Sequence, residues 1–542
     1  MHDSAPRFAL SAPLASWSLL ILLATYLLVG TTGHLPWRGD DLTHLGPIHA
    51  MLQGSEWLIP EIAGESYLGT GPLYYWIGAL LAKALGGLLP VHDAARLASS
   101  IFTGLSLYWT GLAARRLHGS AAFAPAILLG MGSLGLVVHA HETQPMLAQL
   151  AGMALCYAGL GELSERPQRA GLQAGLGIGV TFLAGGLSGL GLTLPLVLIP
   201  PLLSPHCRTP RALGGLATTL GLSGLLIALW IMGVRATQPQ LLPLWWNAEV
   251  LSMTPHSQHL TRISTLFQLL GWFAWPLWPI AGWALWRNRH SISTLQIALP
   301  VVASLLALLL VATTGGLRAA SILPVLPPLT LLAALGAGSL RRGAANAFDW
   351  FGTMTFVFFA ILVWLGWSAL HFAWPPGLAR QVARLAPDFQ RTAMGMDVLL
   401  ALLISSAIVI LPMLTRRGAL RSTTNWALGM TLLWCLAVTL WEPWFAHTKN
   451  YQPIAAELSR ELSRQAPGCI LRKGLGDTQR AALDYFANVR TQPFLSNSEC
   501  RLLLAYASSG SIRNIPKEWQ LIWERRLGGG RKAENFRLYR RD

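Results

Sequence analysis

Apolar stretches of about 17 to 25 residues recur from Leu14 to about Phe445, separated by short loops, and this one pattern leaves few folds open. A helix of that length crosses a hydrocarbon core roughly 30 Å thick, and in lipid every backbone polar group must be paired within its own segment. The composition agrees. Hydrophobic residues make up 53% of the chain and charged residues 12%, against roughly 25% charged in a soluble domain. The chain is therefore read as a mostly α polytopic membrane protein. From His447 to Asp542 charges are frequent and no stretch is long enough to span, so residues 446–542 are read as a water-exposed domain following a membrane domain of residues 1–445. The first run, "LASWSLLILLATYLLVG", follows a nearly neutral start with Arg7 and lacks a small-residue cleavage site, so it reads as a retained first helix.

The loop arginines sort into two classes. "ARRLHG" at 114, "SERPQR" at 164, "HCRTPR" at 206, "WRNRH" at 286, "LRRG" at 340 and "TRRGALR" at 415 form the rich, cytoplasmic class. Gly39 to Gly71, "HAHETQP" at 139, Arg235 to Arg262, "TTGGLR" at 313 and "WPPGLARQVARLAPDFQRTA" at 374 form the extracytoplasmic class. Threading both gives about 13 crossings, provided Pro72 to Leu89 is an interfacial or partly re-entrant helix. The amino end is then inside and the terminal domain outside. The net charge of +16 belongs to these scattered loops. With no basic and aromatic binding module beside it, it gives no reason to expect nucleic acid as a partner.

Cys156, Cys207 and Cys435 fall in or beside spans without metal-ligand spacing and read as small core residues. Cys469 and Cys500 are the two in the terminal domain, where an oxidising compartment would let them pair. The glycine-rich "LAGGLSGLGL" at 183 lacks the lysine of a phosphate loop, and reads as close helix packing.

Two adjacent acids, Asp40 and Asp41 in "RGDDLTHLGPIHAML", stand at the outer mouth of the first span. Behind them Leu42, Leu45, Ile48 and Leu52 share one helical face, with His44 and His49 elsewhere, the pattern of an amphipathic helix lying in the interface. The acids cap its amino end, where the helix dipole keeps a carboxylate ionised, ready to accept from a hydroxyl or to bind a metal. The same outer face carries His139, His141 and Glu142, then Arg318 in "GGLRAASILPVLPP", and the aromatic run "PLYYWIG" at 72. Carboxylates, histidines, an arginine and aromatics on one face suit a substrate with an anionic phosphate, a sugar-like body and a lipid tail. One carboxylate would take a proton from an acceptor hydroxyl while cations steady a departing lipid phosphate.

The order of these pieces resembles the membrane-embedded glycosyltransferases of the GT-C fold, in the family 39 branch of bacterial aminoarabinose (lipid A) transferases and related protein mannosyltransferases. An acid pair, a helix ending in Met-Leu, "GDW..P" and "KPPLYYW" are matched by Asp40-Asp41, Met51-Leu52, "GSEWLIP" at 54 and "GTGPLYYW" at 69. "AARL" at 94 and "ARRLHG" at 114 follow; "TLDMP", "LTKGP" and "PYLLPLLPPLALL" are matched by "HETQP", "LAGGL" and "ASILPVLPPLTLL". The resemblance implies a GT-C membrane domain with an extracytoplasmic α/β domain. It also implies transfer of a sugar from a polyprenyl-phosphate donor to a lipid A-like or other glycan acceptor, at the periplasmic side of the bacterial inner membrane. Asp40 would be the catalytic base or acceptor-orienting residue, and Asp41 its support or a contact to a divalent metal, whose requirement stays open. His44, Thr70, Tyr74, Tyr75, His139, His141, Glu142 and Arg318 would bind substrate. The chain departs from the pattern where lysines are expected, at Thr70-Gly71 and Ala184-Gly185, and again at Thr143 and Ser321. Arg318 and the histidines are left as phosphate contacts.

In the terminal domain "CILRKGLG" at 469, "CRLLLAYAS" at 500, "WQLIWERRL" at 519 and "NFRLYRR" at 535 read as strands, and "TQRAALDYFANVR" at 478 as an amphipathic helix. Two rival readings remain: a lipid or sugar transporter or flippase, which predicts acids near the midplane and matching broken halves, and a catalytically degenerate scaffold.

Overall fold

The computed structural model describes residues 12–253, 259–313, 318–385, 389, 395–415, 420–465, 468–494, 500–508, 515–528 and 533–541. Arg7, residues 314–317 ahead of Arg318, and Arg416 and Arg417 of the loop at 415 lie outside the described residues.

The chain is mostly helical. Its first third contains α1 (Ala12–Leu28), α2 (Asp40–Leu52), the hairpin β1 (Glu61–Ile62) and β2 (Glu65–Ser66), α3 (Leu73–Leu85), α4 (Val91–His118), α5 (Phe123–Met131), α6 (Leu134–His139) and α7 (Met146–Gly161). Then follow α8 (Pro167–Thr193), α9 (Ile199–Leu203), α10 (Pro210–Thr237), α11 (Leu241–Met253), α12 (His259–Phe273), α13 (Leu277–Arg287), α14 (Leu295–Thr313) and α15 (Leu326–Ala337). The remainder holds α16 (Arg342–Phe372), α17 (Pro376–Leu385), α18 (Met396–Leu414), α19 (Arg421–Thr448), α20 (Gln452–Leu462) and α21 (Asp477–Ala487). Among the described residues 7 helices are long and apolar enough to cross a membrane, and shorter apolar helices, α3 and α7 among them, accompany them.

Glycine sets the closest packing. Gly152 and Gly159 of α7 face Gly177 and Ala174 of α8, and Gly171 of α8 faces Gly215 of α10. A Cβ at Gly177 would stand 2.5 Å from the Cys156 nitrogen, so only glycine lets these backbones approach. The stretch "LAGGLSGLGL" does more than the close packing expected of it. At Gly186 the backbone turns to φ 59° and ψ −140°, splitting α8 in two. That conformation is essentially reserved for glycine.

Helix α2 is covered by protein on more than its apolar face. Leu42, Leu45 and Ile48 are fully buried, as their spacing predicts, but so is most of the helix. Burying three such side chains is worth roughly 1.5 to 3 kcal/mol each. The opposite face meets protein instead of head groups: Thr43 Oγ1 lies 2.6 Å from Thr478 Oγ1, Gly46 abuts Ala481, and His49 stacks edge-on against Tyr485. All three partners lie on α21, more than 400 positions away, where no local pattern in α2 can point.

The C-terminal region, expected from the sequence to be a separate domain, holds a five-stranded sheet flanked by α20 and α21 among the described residues. Its strands are β3 (Ile470–Lys473), β4 (Gln492–Pro493), β5 (Leu502–Ala507), β6 (Gln520–Leu527) and β7 (Glu534–Arg540), in the order β4-β3-β5-β7-β6. β3 pairs in parallel with β4 and β5, while β7 runs antiparallel to β5 and β6. Cys469 and Cys500 are joined as a disulfide at the mouths of β3 and β5, with 5.1 Å between their Cα atoms, and Cys156, Cys207 and Cys435 are free and buried. α19 runs on to Thr448. There the chain meets the segment leading into α2: Arg38 donates to the Thr448 carbonyl at 2.8 Å and pairs with Glu534 at 3.2 Å.

Candidate active site

Helix α2 starts on Gly39, whose φ of 112° is open to glycine, so that Asp40 and Asp41 occupy its first turn. One residue apart on a helix, their side chains leave in directions about 100° apart. Asp41 turns inward. Its carboxylate accepts from Trp37 N at 2.9 Å, Thr143 N and Thr143 Oγ1 at 2.7 Å each, and Arg96 Nε and Nη2 at 3.3 and 3.2 Å. Arg96 is itself fully buried and also donates to Asp93 Oδ1 at 3.1 Å and the Thr31 carbonyl at 2.9 Å. Burial pushes the Asp41 carboxyl up, and the Arg96 guanidinium with the Thr143 donors more than offsets it, holding the group at about 2. Asp41 is thereby a fixed anion that ties α2 to α4 and to the turn before α7.

Asp40 turns outward. Its side chain is 26% exposed against 1% for Asp41. Arg318 Nη1 stands 4.0 Å from Asp40 Oδ1, and Gln144 Nε2 is 3.4 Å from Oδ2. With 77% of its side chain exposed, Arg318 has donors free of the protein surface. An open carboxylate next to an open guanidinium can accept a proton from a hydroxyl while an anion is held beside it.

The other expected site residues form two groups. His44 Nδ1 is 2.9 Å from Tyr75 OH, which is 2.6 Å from Thr70 Oγ1, a relay joining α2 to the arm that opens α3. Burial pushes the His44 imidazole down to about 4, so it is neutral near pH 7. Tyr74 OH meets Ser99 Oγ at 2.6 Å, and Ser99 donates to the Glu142 carbonyl at 2.6 Å. His139 pairs with the Glu142 carboxylate, next to the turn that binds Asp41. His141 is placed apart from this group: it is fully buried, bonded through Nε2 to the Tyr26 carbonyl at 2.6 Å and stacked on Trp434. Among the described residues no three His, Cys, Asp or Glu side chains gather in a metal-binding group.

Asp93 went unnamed in the sequence reading, and Arg96 and Gln144 stood there only inside the quoted stretches "AARL" and "HETQP", without a role. The signal for the first two was available, an acid and an arginine three positions apart inside a helical stretch of a chain poor in charge. The two places where the resemblance expects lysines also prove to be one place. Gly71 N donates to the Ala184 carbonyl at 3.1 Å, at the break in α8.

A second feature lies at the other end of α6. Between α12, α16 and α19 opens an almost wholly apolar cavity of about 860 Å³, lined by Leu134, Trp272, Trp275, Phe351, Phe356 and Trp426 among others. Leu134, which lines the cavity, and His139, which pairs with Glu142, are the two ends of one short helix about 8 Å long.

No family model matches the chain. It is 29% identical over 330 residues to the undecaprenyl phosphate-alpha-4-amino-4-deoxy-L-arabinose arabinosyl transferase of Pseudomonas paraeruginosa, covering 58% of this chain and spanning 58% of that relative's length. It is 24% identical over 379 residues to the enzyme of the same name in Yersinia enterocolitica, covering 66% of this chain and 67% of the relative. Among solved structures it is similar to ArnT from Cupriavidus metallidurans bound to undecaprenyl phosphate, with a TM-score of 0.65 and 16% identity over 97% of this chain and 98% of that one. The apo structure of that protein gives 0.66 and 15%. The chain thus has, over nearly its whole length, the GT-C fold of ArnT.

Proposed function

We propose that the protein is an inner-membrane glycosyltransferase that moves a sugar, a pentose such as aminoarabinose or a related one, from a polyprenyl-phosphate donor to a lipid A-like acceptor on the periplasmic side. The observation that carries the reading is the division of labour between the two acids. Asp41 is consumed by internal bonds, and Asp40 is left open beside Arg318 on the element that Asp41 fixes. In the reaction the acceptor oxygen attacks the anomeric carbon, the bond from that carbon to the donor phosphate breaks, and the acceptor's proton passes to Asp40. The polyprenyl phosphate leaves with the bonding pair, and Arg318 offsets its charge. The apolar cavity beside α6 is a berth for the hydrocarbon part of a lipid substrate. The relatives' names, the fold shared with a protein crystallised with undecaprenyl phosphate, and the order of motifs support this choice of donor.

The loop arginines support a cytoplasmic amino end, about 13 crossings with Pro72 to Leu89 as an interfacial or partly re-entrant helix, and a periplasmic terminal domain from residue 446. The Cys469–Cys500 disulfide supports the same side for that domain, since such bonds persist in oxidising compartments. The test is a deletion strain complemented with the wild-type gene or left empty, its envelope glycolipids compared by mass spectrometry. A sugar-sized mass on a lipid acceptor that appears only with the complementing gene supports the transferase. Identical spectra, with the protein present in the membrane, contradict it.

A further inference from the structure

Glu249 is a carboxylate with no part in the chemistry above. It lies on α11, outside the membrane-crossing helices, and is 6% exposed. It faces the break in α8. The Leu187 N–H, freed by the turn at Gly186, donates to Glu249 Oε2 at 3.1 Å, and Ser188 N–H points to the same carboxyl. Gly186 touches it so closely that a Cβ there would collide with Oε1. On the other side of the break, the Ala184 carbonyl takes the Gly71 N–H at 3.1 Å, and a Cβ at Gly71 would run into the Leu183 carbonyl. Each orphaned end of the broken helix is thus satisfied by a different outer segment, α11 on the amide side and the Thr70–Gly71 arm on the carbonyl side. That arm carries the Thr70–Tyr75–His44 relay into α2.

We propose that Glu249 is a positioning residue: by capping the second half of α8 it fixes the break, and through the Ala184 carbonyl it fixes the Thr70–Tyr75 arm against which the donor lies. The part concerning the donor rests on the transferase reading; the coupling from Glu249 to the arm does not. In this chain, without lysines at the two places that meet here, the break is held by an internal acid.

The coupling has a sign. Burial pushes the Glu249 carboxyl up to about 7, opposed only by the Leu187 and Ser188 N–H groups; no charged side chain from α8, α10 or elsewhere among the described residues contributes. A carboxyl whose docked pKa is raised favours docking while it keeps its proton, and the contribution fades as pH rises toward the docked value. The cap is therefore firm at pH 5.5 and looser at pH 8.5.

The experiment uses the full-length protein in lipid nanodiscs as wild type, Glu249→Gln and Glu249→Ala. Hydrogen exchange, corrected for the intrinsic pH dependence, is followed in peptides covering residues 67–76 and 183–192. Transfer is measured with undecaprenyl-phosphate aminoarabinose as donor probe and lipid A as acceptor, from pH 5.5 to 8.5. Glu249→Ala is expected to speed exchange in both peptides and to raise the donor KM about tenfold, with kcat within about twofold. The wild-type donor KM is expected to rise between pH 5.5 and about 7 and to level off above it, and Glu249→Gln, a neutral acceptor, to stay near the wild-type acid-side value at every pH. Faster exchange confined to residues 183–192 would overturn the proposal, as would equal losses of KM, kcat and thermal stability in both variants at every pH. If the wild type transfers no sugar, the transferase reading fails and the exchange at residues 67–76 alone decides the coupling.

Discussion

At Asp41 five donors converge on one carboxylate, from Trp37, Arg96 and Thr143, and none remains for a substrate. Removing the charge leaves Arg96 buried with Asp93 as its one remaining acid, so Asp41→Asn is expected to cost about 3 to 5 kcal/mol, read as a lower thermal midpoint of the purified protein. The acid side gives a second check. Because the folded pKa, about 2, lies below the unfolded value near 3.9, this carboxylate's contribution is complete above pH 4. It is lost as pH falls toward 2, and Asp41→Asn is expected to lack that loss in acid unfolding. The pair itself stood out in the sequence, because two adjacent acids are conspicuous in a chain with 24 acids in 542 residues. Which acid points inward was not legible: it is decided by Arg96 and Thr143, which lie 55 and 102 positions away. His141 carries the same lesson. Its motif places it beside Glu142, but Tyr26 and Trp434, from the first and nineteenth helices, hold it away from the acids.

Helix α21 and its neighbouring strands were legible because their apolar residues keep a helical or a twofold period within one short window. The break in α8 was not, since glycines that permit close packing and a glycine that reverses the backbone are the same letter. Gly186→Ala separates the two uses. A methyl at φ 59°, pressed against Glu249, is expected to cost about 1 to 3 kcal/mol, with a correspondingly lower thermal midpoint. Gly191, which has open space around it, is expected to accept alanine with no loss. The cover over α2 belongs to the same class of missed feature. Its apolar stripe predicts one buried face, and the second face is closed by residues that the sequence keeps until position 478 and beyond.

Besides the packing of α21 on α2, polar contacts join the terminal domain to the acid-bearing region. Glu65 of the hairpin pairs with Arg472 at 2.6 Å and Arg480 at 3.0 Å, and Arg480 also reaches the Ile62 carbonyl. Burial raises the Glu65 carboxyl, and the two arginines more than offset it, so its folded pKa lies below the usual value. Its contribution to docking is therefore present above about pH 4.3 and is lost below it, measurable as faster proteolysis of the terminal domain in acid. The disulfide closes a loop with a sequence separation of 31, and reducing it is expected to remove about 3 to 4 kcal/mol from the terminal domain. Trypsin should then cut after residue 449 before it cuts the helices. The many-helix plan could be read from hydropathy alone, whereas the seating of one part on the other depends on pairs such as Glu65 with Arg472 and Arg38 with Glu534, separated by most of the chain. The account as a whole turns on the split between Asp40 and Asp41, and the direct test is to measure sugar transfer and thermal midpoint together in Asp40→Asn, Asp41→Asn and the wild type. It predicts that Asp40→Asn keeps the wild-type midpoint and loses transfer by at least about a hundredfold, while Asp41→Asn lowers the midpoint. An Asp40→Asn protein that transfers sugar at the wild-type rate would contradict it.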